Sequence, residues 1–318
     1  MKKIGYLTEL TLLIIFNIFV LIMPLQLTLL IGRRLGDIAF FVLKIRRNVV
    51  VKNLLLAFPN KNSGELFDIA RRTYQNFGMS MIELLSFPKL NFKKLINNKI
   101  EFEGLEFLDE LLAQKQGAIL VAGHFGSWEL MGAATCQKGY PLAFLVGKQH
   151  NIYVDNLLNY YRKIKKIGII QLKMALKGVM KAVKTGRFVA MLSDQDAGKR
   201  DGVFVNFFSR PASTPKGPAV FSLRLNVPIV IGFCIRQKQF SMHKIKFLKI
   251  DFEKTGNYEL DVELLTSKYT QILENFIKKY PDHWFWFHKR WKTIADPTIA
   301  DDSSCDNISS KVDNTPTI

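Results

Sequence analysis

Short apolar runs alternate along this chain with longer segments in which apolar residues recur every three or four positions. The runs Ala118–Ala122, Leu142–Val146 and Phe188–Leu192 are almost continuously apolar, as in strands buried on both faces of a parallel sheet. Asn151–Lys166 and Lys173–Lys184 have the period of amphipathic helices. The alternation predicts an α/β fold with a mostly parallel central sheet flanked by helices.

The same pattern continues toward the C-terminus. Val203–Phe208 is a predicted strand that leads into the polar segment 209–219, SRPASTPKGPA, and Ile229–Ile235 is another predicted strand. His243–Ile250 alternates lysine with apolar residues, which predicts an edge strand with one face in water. Tyr258–Tyr280 is a long final helix.

An uncharged segment near the N-terminus, Leu10–Ile31, covers 22 positions, which is long enough for a helix to cross a bilayer. Asn17, Pro24 and Gln26 interrupt it, so an interfacial helix and a buried core helix stay as alternatives. No small-residue cleavage site follows, which favours a retained anchor over a removable signal peptide. The basic residues at 33–52 outnumber those before the segment, which predicts a cytoplasmic location for the rest of the chain.

These features divide the chain into three parts. We predict an N-terminal membrane anchor at residues 1–32, one large domain at 33–298 and a disordered acidic tail at 299–318. The formal charge of +18 favours a polyanionic partner: nucleic acid, an anionic membrane, a phosphorylated lipid or an acidic carrier protein. The cysteines Cys136, Cys234 and Cys305 are widely spaced, which argues against a disulfide framework or a zinc site.

The candidate chemistry is concentrated at the end of the central apolar run, in AILVAGHFGSWELMG. His124 and Glu129 are five positions apart, and on a regular helix their side chains would diverge by about 140°. They meet only if His124 lies in a turn and Glu129 lies inside a helix that begins at Ser127. A carboxylate at one imidazole nitrogen leaves the other nitrogen free to act as a general base. The alternative is a histidine hydrogen-bonded near a helix N-terminus.

Five sequence blocks carry a family resemblance. RRNVVVKNLLLAFP, GHFGSWEL, SDQDAG, GVFVNFFSRPASTPKGPA and WFWFHKRWK together resemble the late acyltransferases of lipid A biosynthesis, within the wider superfamily that shares an H-x4-D/E motif. The blocks stand in the family's order and span about Arg33 to Thr293.

The resemblance implies a fold like that of glycerol-3-phosphate acyltransferases and transfer of a fatty acyl group from acyl carrier protein to a hydroxyl of a lipid A precursor. It implies a site at the cytoplasmic face of the inner membrane, with anionic lipids as neighbours and no cofactor beyond the acyl-carrier co-substrate. It assigns His124 as general base, Glu129 as its orienting carboxylate and Arg210 as a ligand for anionic substrate groups.

Three further residues are candidate substrate ligands. The family pattern has an arginine after the second strand, where this chain has Lys148, which keeps the charge but lacks the bidentate fork. Asp194 and Asp196 alone would be a poor magnesium site, so we expect a substrate-hydroxyl or structural contact and no metal.

Two basic segments allow more than one interpretation. HWFWFHKRW, at 283–291, is either packing beneath the sheet or an interfacial aromatic belt, and nucleic-acid stacking fits poorly with an N-terminal anchor. The run Arg162–Lys166 is either a solvated helix face or a docking site for the acidic carrier protein.

The mechanism expected from these residues is direct transfer. The chain lacks Gly-x-Ser-x-Gly, so no acyl-enzyme is expected, and backbone donors near Gly123 would stabilise the oxyanion. Apolar residues beside the site would line a groove for the acyl chain. The rival functions are an acyl-CoA-dependent acyltransferase acting on another glycolipid or lysophospholipid, a non-catalytic membrane-surface binding protein and a membrane-tethered nucleic-acid binder.

Overall fold

The computed structural model of the chain describes residues 2–295. The predicted acidic tail and Cys305 lie outside the described residues.

The helices, in chain order, are α1 (Lys2–Ile22), α2 (Leu25–Phe41), α3 (Arg47–Ala57), α4 (Ser63–Leu85), α5 (Phe92–Lys99), α6 (Glu106–Ala113), α7 (Trp128–Lys138), α8 (Ile152–Ile164), α9 (Ala175–Lys184), α10 (Gly198–Asp201), α11 (Gly217–Leu225) and α12 (Tyr258–Lys279). The strands are β1 (Ile100–Glu103), β2 (Ala118–Ala122), β3 (Leu142–Val146), β4 (Gly168–Gln171), β5 (Phe188–Leu192), β6 (Gly202–Phe207), β7 (Arg210–Pro215), β8 (Ile229–Arg236) and β9 (His243–Ile250). Short 3-10 turns occupy Leu172–Met174 and Pro281–His283.

Seven strands form one sheet in the order β1-β9-β8-β2-β5-β3-β4. All neighbouring strands are parallel except β8 and β9. The predicted α/β class with a mostly parallel sheet is therefore confirmed. Because β2, β5, β3 and β4 are parallel neighbours, their carboxyl ends meet along one edge of the sheet, where open α/β sheets bind ligands.

The prediction that β9 is an edge strand is wrong. It lies between β8 and β1, which occupies the edge. The alternating lysines have partners on β1, since Lys244 forms ion pairs with Glu101 (2.9 Å) and Glu103 (2.7 Å), and Lys246 also pairs with Glu103. A strand with one polar face is therefore accommodated inside the sheet by a matching acidic strand.

The polar segment after β6 contains a further strand. This strand, β7, pairs antiparallel with β6 in a separate hairpin. The two turn residues, Phe208 and Ser209, have φ of 53° and 57°, values that a two-residue hairpin turn requires. Because neither residue is Gly or Asn, the sequence carried no turn signal at this position.

Each face of the sheet has its own apolar core. Ile119 and Val121 of β2 point to the core that also contains residues of α9, α11 and α12, whereas Leu120 and Ala122 point to the core shared with α6, α7 and α8. This alternation follows from the two-residue period of a strand and explains the continuous apolar run.

The apolar N-terminal segment forms two helices that separate at Pro24. Lys3–Ile22 of α1 is long and apolar enough to cross a bilayer, and 11% of it is buried. Its contacts with the body are apolar and polar. Val20 is fully buried, and Leu13 and Phe16 pack against the same core. Asn17 Nδ2 donates to Leu85 O at 2.8 Å, and Asn151 Nδ2 donates to Tyr6 O at 2.9 Å. Helix α2 crosses α4 closely because Gly32, Gly36 and Gly78 have no side chains at the crossing. A Cβ at any of these three positions would overlap atoms of the facing helix.

Helix α4 fastens these N-terminal helices to the sheet. Its buried Glu83 accepts two hydrogen bonds, of 2.7 and 2.8 Å, from Arg236 at the carboxyl end of β8. The N-cap of α4 is Asn62, which forms a reciprocal capping box with Glu65.

Candidate active site

His124 and Asp194 meet at the carboxyl edge of the sheet. His124 follows β2 and Asp194 follows β5, and these strands are parallel neighbours in the register Ala122↔Leu192. The Nδ1 atom of His124 lies 2.8 Å from Oδ1 of Asp194. The pair is therefore a consequence of sheet topology, because the two residues are 70 positions apart in sequence.

Asp194 holds this arrangement with both carboxylate oxygens. Its Oδ2 accepts hydrogen bonds from the main-chain N–H of His124 (2.7 Å) and from Nε1 of Trp284 (2.8 Å). The side chain of Asp194 is only 1% exposed, whereas that of His124 is 22% exposed. Burial raises the pKa of Asp194, but the charge and hydrogen bonds of His124 outweigh it and hold that pKa below its ordinary value.

An ionised Asp194 can only accept hydrogen bonds, so Nδ1 of His124 carries the proton and Nε2 keeps its lone pair in the neutral ring. Burial lowers the pKa of His124, but the charge and hydrogen bond of Asp194 act more strongly, and the pKa is raised above its ordinary value. No hydrogen bond from residues 2–295 occupies Nε2. The ring is thus oriented, made more basic and left with one open nitrogen, as a general base requires.

The expected contact between His124 and Glu129 is replaced by a different pair. Both oxygens of Glu129 accept from Arg162 of α8, at 2.6 Å from Nη2 and 3.0 Å from Nε. Glu129 lies in the first turn of α7 and points toward α8, whereas His124 lies before the helix. Glu129 influences His124 only through its charge, which contributes to the raised pKa of the imidazole.

Three amide groups of the turn after β2 already have acceptors within the protein. The N–H of His124 donates to Asp194, that of Phe125 to Gly123 O (2.7 Å) and that of Gly126 to His283 O (2.7 Å). The expected backbone oxyanion donors are therefore not these three groups. Ser127 precedes α7 as its N-cap residue, but its side chain makes no capping hydrogen bond.

The aromatic segment 283–291 packs against this turn, and we call it the aromatic clamp. Phe285 N donates to His124 O at 2.9 Å, and Phe125 forms an isolated antiparallel bridge with Trp284. Trp284 and Trp286 are 2% and 0% exposed. Their role is packing, so the interpretation of these two tryptophans as an interfacial belt is wrong.

Gly126 is the one position in the turn where glycine is required by geometry. Its φ is +57°, and a Cβ there would overlap the carbonyl oxygen of Cys234 on β8. The close approach lets the turn dock against the sheet edge while β8 remains paired.

An apolar cavity begins beside the histidine. Trp128 packs edge-on against His124, with ring centroids 5.1 Å apart, and also lines the cavity. The Glu129–Arg162 pair forms its polar wall. The remaining walls come from β2, β3, β5 and α7, through Leu120, Ala122, Met131, Gly132, Thr135, Leu142, Phe144, Leu145, Val146, Ala190 and Leu192, together with Phe247. The cavity is therefore almost entirely apolar apart from the Glu129–Arg162 pair and Thr135.

The other predicted ligands lie apart from the histidine pair. Asp196 accepts hydrogen bonds from the hydroxyl (2.8 Å) and the N–H (3.0 Å) of Thr293. It therefore links the loop after β5 to the C-terminal segment. Arg210 flanks the turn of the β6–β7 hairpin, and Lys148 is exposed after β3. In the described part of the chain, no hydrogen bond or ion pair links Arg210 or Lys148 to His124 or Asp194, and no cluster of three His, Cys, Asp or Glu residues is arranged to hold a metal.

Sequence reasoning singled out Asp194 for a substrate-hydroxyl or structural contact but did not connect it with His124. The available signal was its position: SDQD follows an apolar run that pairs with the strand before His124. The role of Trp284, which donates to Asp194, had no sequence signal beyond the aromatic content of its segment.

Comparisons with known proteins relate this chain to bacterial acyltransferases. The chain is 25% identical over 277 residues to the lipid A biosynthesis palmitoleoyltransferase of Escherichia coli (strain K12), covering 85% of this chain and 87% of that protein. It is 27% identical over 272 residues to the lipid A biosynthesis lauroyltransferase of the same organism, with coverage of 85% and 87%. A phosphatidylinositol mannoside acyltransferase of Mycobacterium tuberculosis (strain ATCC 25618 / H37Rv) is 23% identical over 165 residues, covering 50% of this chain and 52% of that protein.

The model of one family spans nearly the whole described chain. The bacterial lipid A biosynthesis acyltransferase model matches residues 2–293, which include the histidine turn, the apolar cavity and the aromatic clamp. This protein is therefore an acyltransferase that belongs to the bacterial lipid A biosynthesis acyltransferase family.

Proposed function

We propose that the protein transfers a fatty acyl chain from acyl carrier protein to a hydroxyl of a lipid A precursor at the cytoplasmic face of the inner membrane. The observation that carries the proposal is the His124–Asp194 pair beside an apolar cavity, with Nδ1–Oδ1 at 2.8 Å. The family membership supports lipid A as the class of acceptor. The long apolar helix α1 supports a membrane location.

In the proposed reaction, Nε2 of His124 removes the proton of the acceptor hydroxyl as its oxygen attacks the thioester carbonyl. The C–S bond then breaks, the imidazolium passes its proton to the departing sulfur, and the carrier leaves as a free thiol. Asp194 keeps the ring in the productive tautomer and stabilises the imidazolium that forms, as the aspartate does in a serine-protease triad. General-base catalysis of this kind contributes about 10²–10⁴ in rate.

Glu129 acts in this proposal through Arg162 rather than through the imidazole. The pair lies 6% and 10% exposed and joins α7 to α8 across the cavity wall. It fixes the position of the first turn of α7, which carries Trp128 between the histidine and the cavity. Glu129 is thus a positioning residue in this mechanism.

The acyl chain would occupy the apolar cavity with its thioester near Trp128 and His124. Nearly every lining group is apolar, so burial of methylenes supplies the binding energy at roughly 0.8 kcal/mol each. Arg210 and Lys148 stay candidate ligands for the anionic groups of the acceptor, because both carry positive charge at exposed or half-exposed positions.

The experiment that tests the proposal is an acyl-transfer assay with the full-length membrane protein. Acyl carrier protein and coenzyme A thioesters are offered separately with a lipid A precursor, and the product is identified by mass. His124→Ala should lose at least about 10²-fold in kcat. Retained transfer by the pure variant would overturn the role of His124, and preference for coenzyme A would overturn the assigned donor.

A further inference from the structure

The part of the chain from β3 to β5, which includes helix α9, carries many basic residues and almost no acidic ones. Residues 139–188 contain ten lysines and arginines but a single acidic residue, Asp155, which is 3% exposed. Within this part, Lys177, Lys181 and Lys184 are spaced four and three residues apart on α9 and are all exposed. They form one stripe on the solvent face, opposite the buried Val179 and Val183.

The stripe continues into the 3-10 turn before α9. Lys173 is exposed there, and it is flanked by apolar side chains that are also exposed: Leu172 (59%), Met174 (50%) and Leu176 (62%). We call this turn and the lysine stripe the α9 patch, residues 172–184. An apolar centre with a cationic surround is the composition of a surface that binds an acidic protein.

The lysines of the α9 patch lack acidic partners. Within residues 2–295, Lys173, Lys177, Lys181 and Lys184 form no ion pair. Elsewhere, Lys61 pairs with Glu65 and Lys278 pairs with Glu274. Four like charges without counter-charges repel each other, so an acidic partner that covered them would gain both attraction and relief of that repulsion.

The α9 patch is continuous with the mouth of the cavity. Leu172 directly follows Gln171, whose neighbour across the sheet is the cavity-lining Val146 of β3. Leu192, at the carboxyl end of β5, also lines the cavity and is 38% exposed. A protein seated on the patch would therefore lie beside the opening through which an acyl chain enters.

From these observations we infer that the α9 patch is the docking surface for the acidic acyl carrier protein that delivers the thioester. The inference rests on the proposed function for the identity of the donor. It relocates the docking site expected at Arg162–Lys166, because Arg162 is only 8% exposed and bound to Glu129, and Lys165 donates to Leu90 O at 3.1 Å.

The test compares two charge-reversal variants of the full-length protein. Lys177→Glu/Lys181→Glu changes the patch, and Lys93→Glu/Lys94→Glu on α5 is the control with the same change in net charge at exposed lysines next to β1, at the opposite end of the sheet. We measure kcat/KM with acyl carrier protein and with acyl-coenzyme A as donors, and binding of unacylated carrier protein by fluorescence anisotropy.

The patch variant should lower the ratio of kcat/KM for the carrier-protein donor to that for the coenzyme A donor at least about tenfold at low salt, mainly through KM and association rate. The difference should shrink toward unity at about 1 M salt, where the Debye length is about 3 Å. Anisotropy should show the same loss of affinity, and the control should match the wild type in both measurements.

Several results would overturn the inference. An unchanged ratio in the patch variant, or an equal loss in the α5 control, would show that the patch does not recognise the carrier. A loss of binding to phosphatidylglycerol vesicles with the donor ratio unchanged would assign the patch to the membrane instead. Activity with coenzyme A alone in the wild type would refute the donor in the proposed function, and anisotropy would still report whether the carrier protein binds the patch.

Two further variants keep the inference testable if the charge-reversal variant does not fold. Lys177→Gln/Lys181→Gln removes the charges without reversing them and should give a smaller shift in the same direction. Leu176→Asp removes an apolar contact and adds an acid, so it should weaken carrier binding at high salt as well as at low salt. Full retention of affinity by both variants would also refute the docking surface.

Discussion

Asp194 binds His124 twice, through the imidazole Nδ1 at 2.8 Å and through the main-chain N–H at 2.7 Å. The two bonds fix both the ring and the backbone that carries it. Because Asp194 also accepts from Trp284, one buried carboxylate joins β2, β5 and the aromatic C-terminal segment. The site therefore depends on Asp194 for orientation, for charge and for the shape of the turn.

Replacing Asp194 by Asn should lower kcat and shift its pH dependence. The neutral form of His124 is active, so kcat/KM rises with pH through the raised pKa of the imidazole. In Asp194→Asn the carboxylate that raises the pKa of His124 is lost, whereas burial still lowers that pKa. The rise of kcat/KM with pH should therefore occur at lower pH than in the wild type. The plateau should fall about 10²–10⁴-fold, measured as kcat/KM from pH 5 to 9. A limb that moved to higher pH would contradict this electrostatic role.

Glu129 and Arg162 should behave as a structural pair. Removing either partner leaves a buried charge uncompensated, so Glu129→Gln or Arg162→Met should cost about 3–5 kcal/mol of unfolding free energy. In the double variant the two losses should be far from additive. Chemical denaturation of the four proteins in detergent measures this coupling.

The same variants separate this role from that of Asp194. Since Glu129 reaches His124 only through its charge, Glu129→Gln should move the rising limb of the pH profile less than Asp194→Asn does. A larger shift from Glu129→Gln would place Glu129, not Asp194, in control of the imidazole.

Gly126→Ala should destabilise the turn that holds His124. Its φ of +57° costs a Cβ-bearing residue about 1–2 kcal/mol, and the overlap with Cys234 O adds to that cost. Gly198→Ala is the matched control, because Gly198 also has positive φ, of +71°, but nothing lies near its Cβ position. Thermal unfolding should show a larger loss at position 126, and equal losses would remove the argument from close approach.

Gly132→Ala should change the preferred acyl length. Gly132 lines the cavity opposite Phe144, and a Cβ there would overlap the Phe144 ring. The ring must then move into the space for the chain, so shorter donors should be favoured. Each methylene excluded is worth roughly 1–3 kcal/mol in discrimination. Competition among donors of graded length measures the shift, and an unchanged preference would mean that the chain binds elsewhere.

The sequence by itself determined the class of fold and the position of the histidine. Ala118–Ala122, Leu142–Val146 and Phe188–Leu192 are strands with the bounds that their apolar runs predicted, because a strand buried on both faces has no other composition available to it. The turn after β2 was also predictable from local sequence, because Gly123 and Gly126 flank His124. The five family blocks pointed to the family that the comparisons then established.

Only the tertiary structure decided which carboxylate meets His124. Glu129 was the nearest acid in sequence, but its helix turns it toward Arg162, and Asp194 arrives from a neighbouring strand 70 residues away. Strand order also decided that β9 is internal, because Glu103 on β1 supplies the partner for its lysines. β7 is a strand because the positive-φ turn at Phe208 and Ser209 returns the chain to pair with β6. Local sequence specifies periodicity and turns, whereas the pairing of distant charges depends on which strands become neighbours.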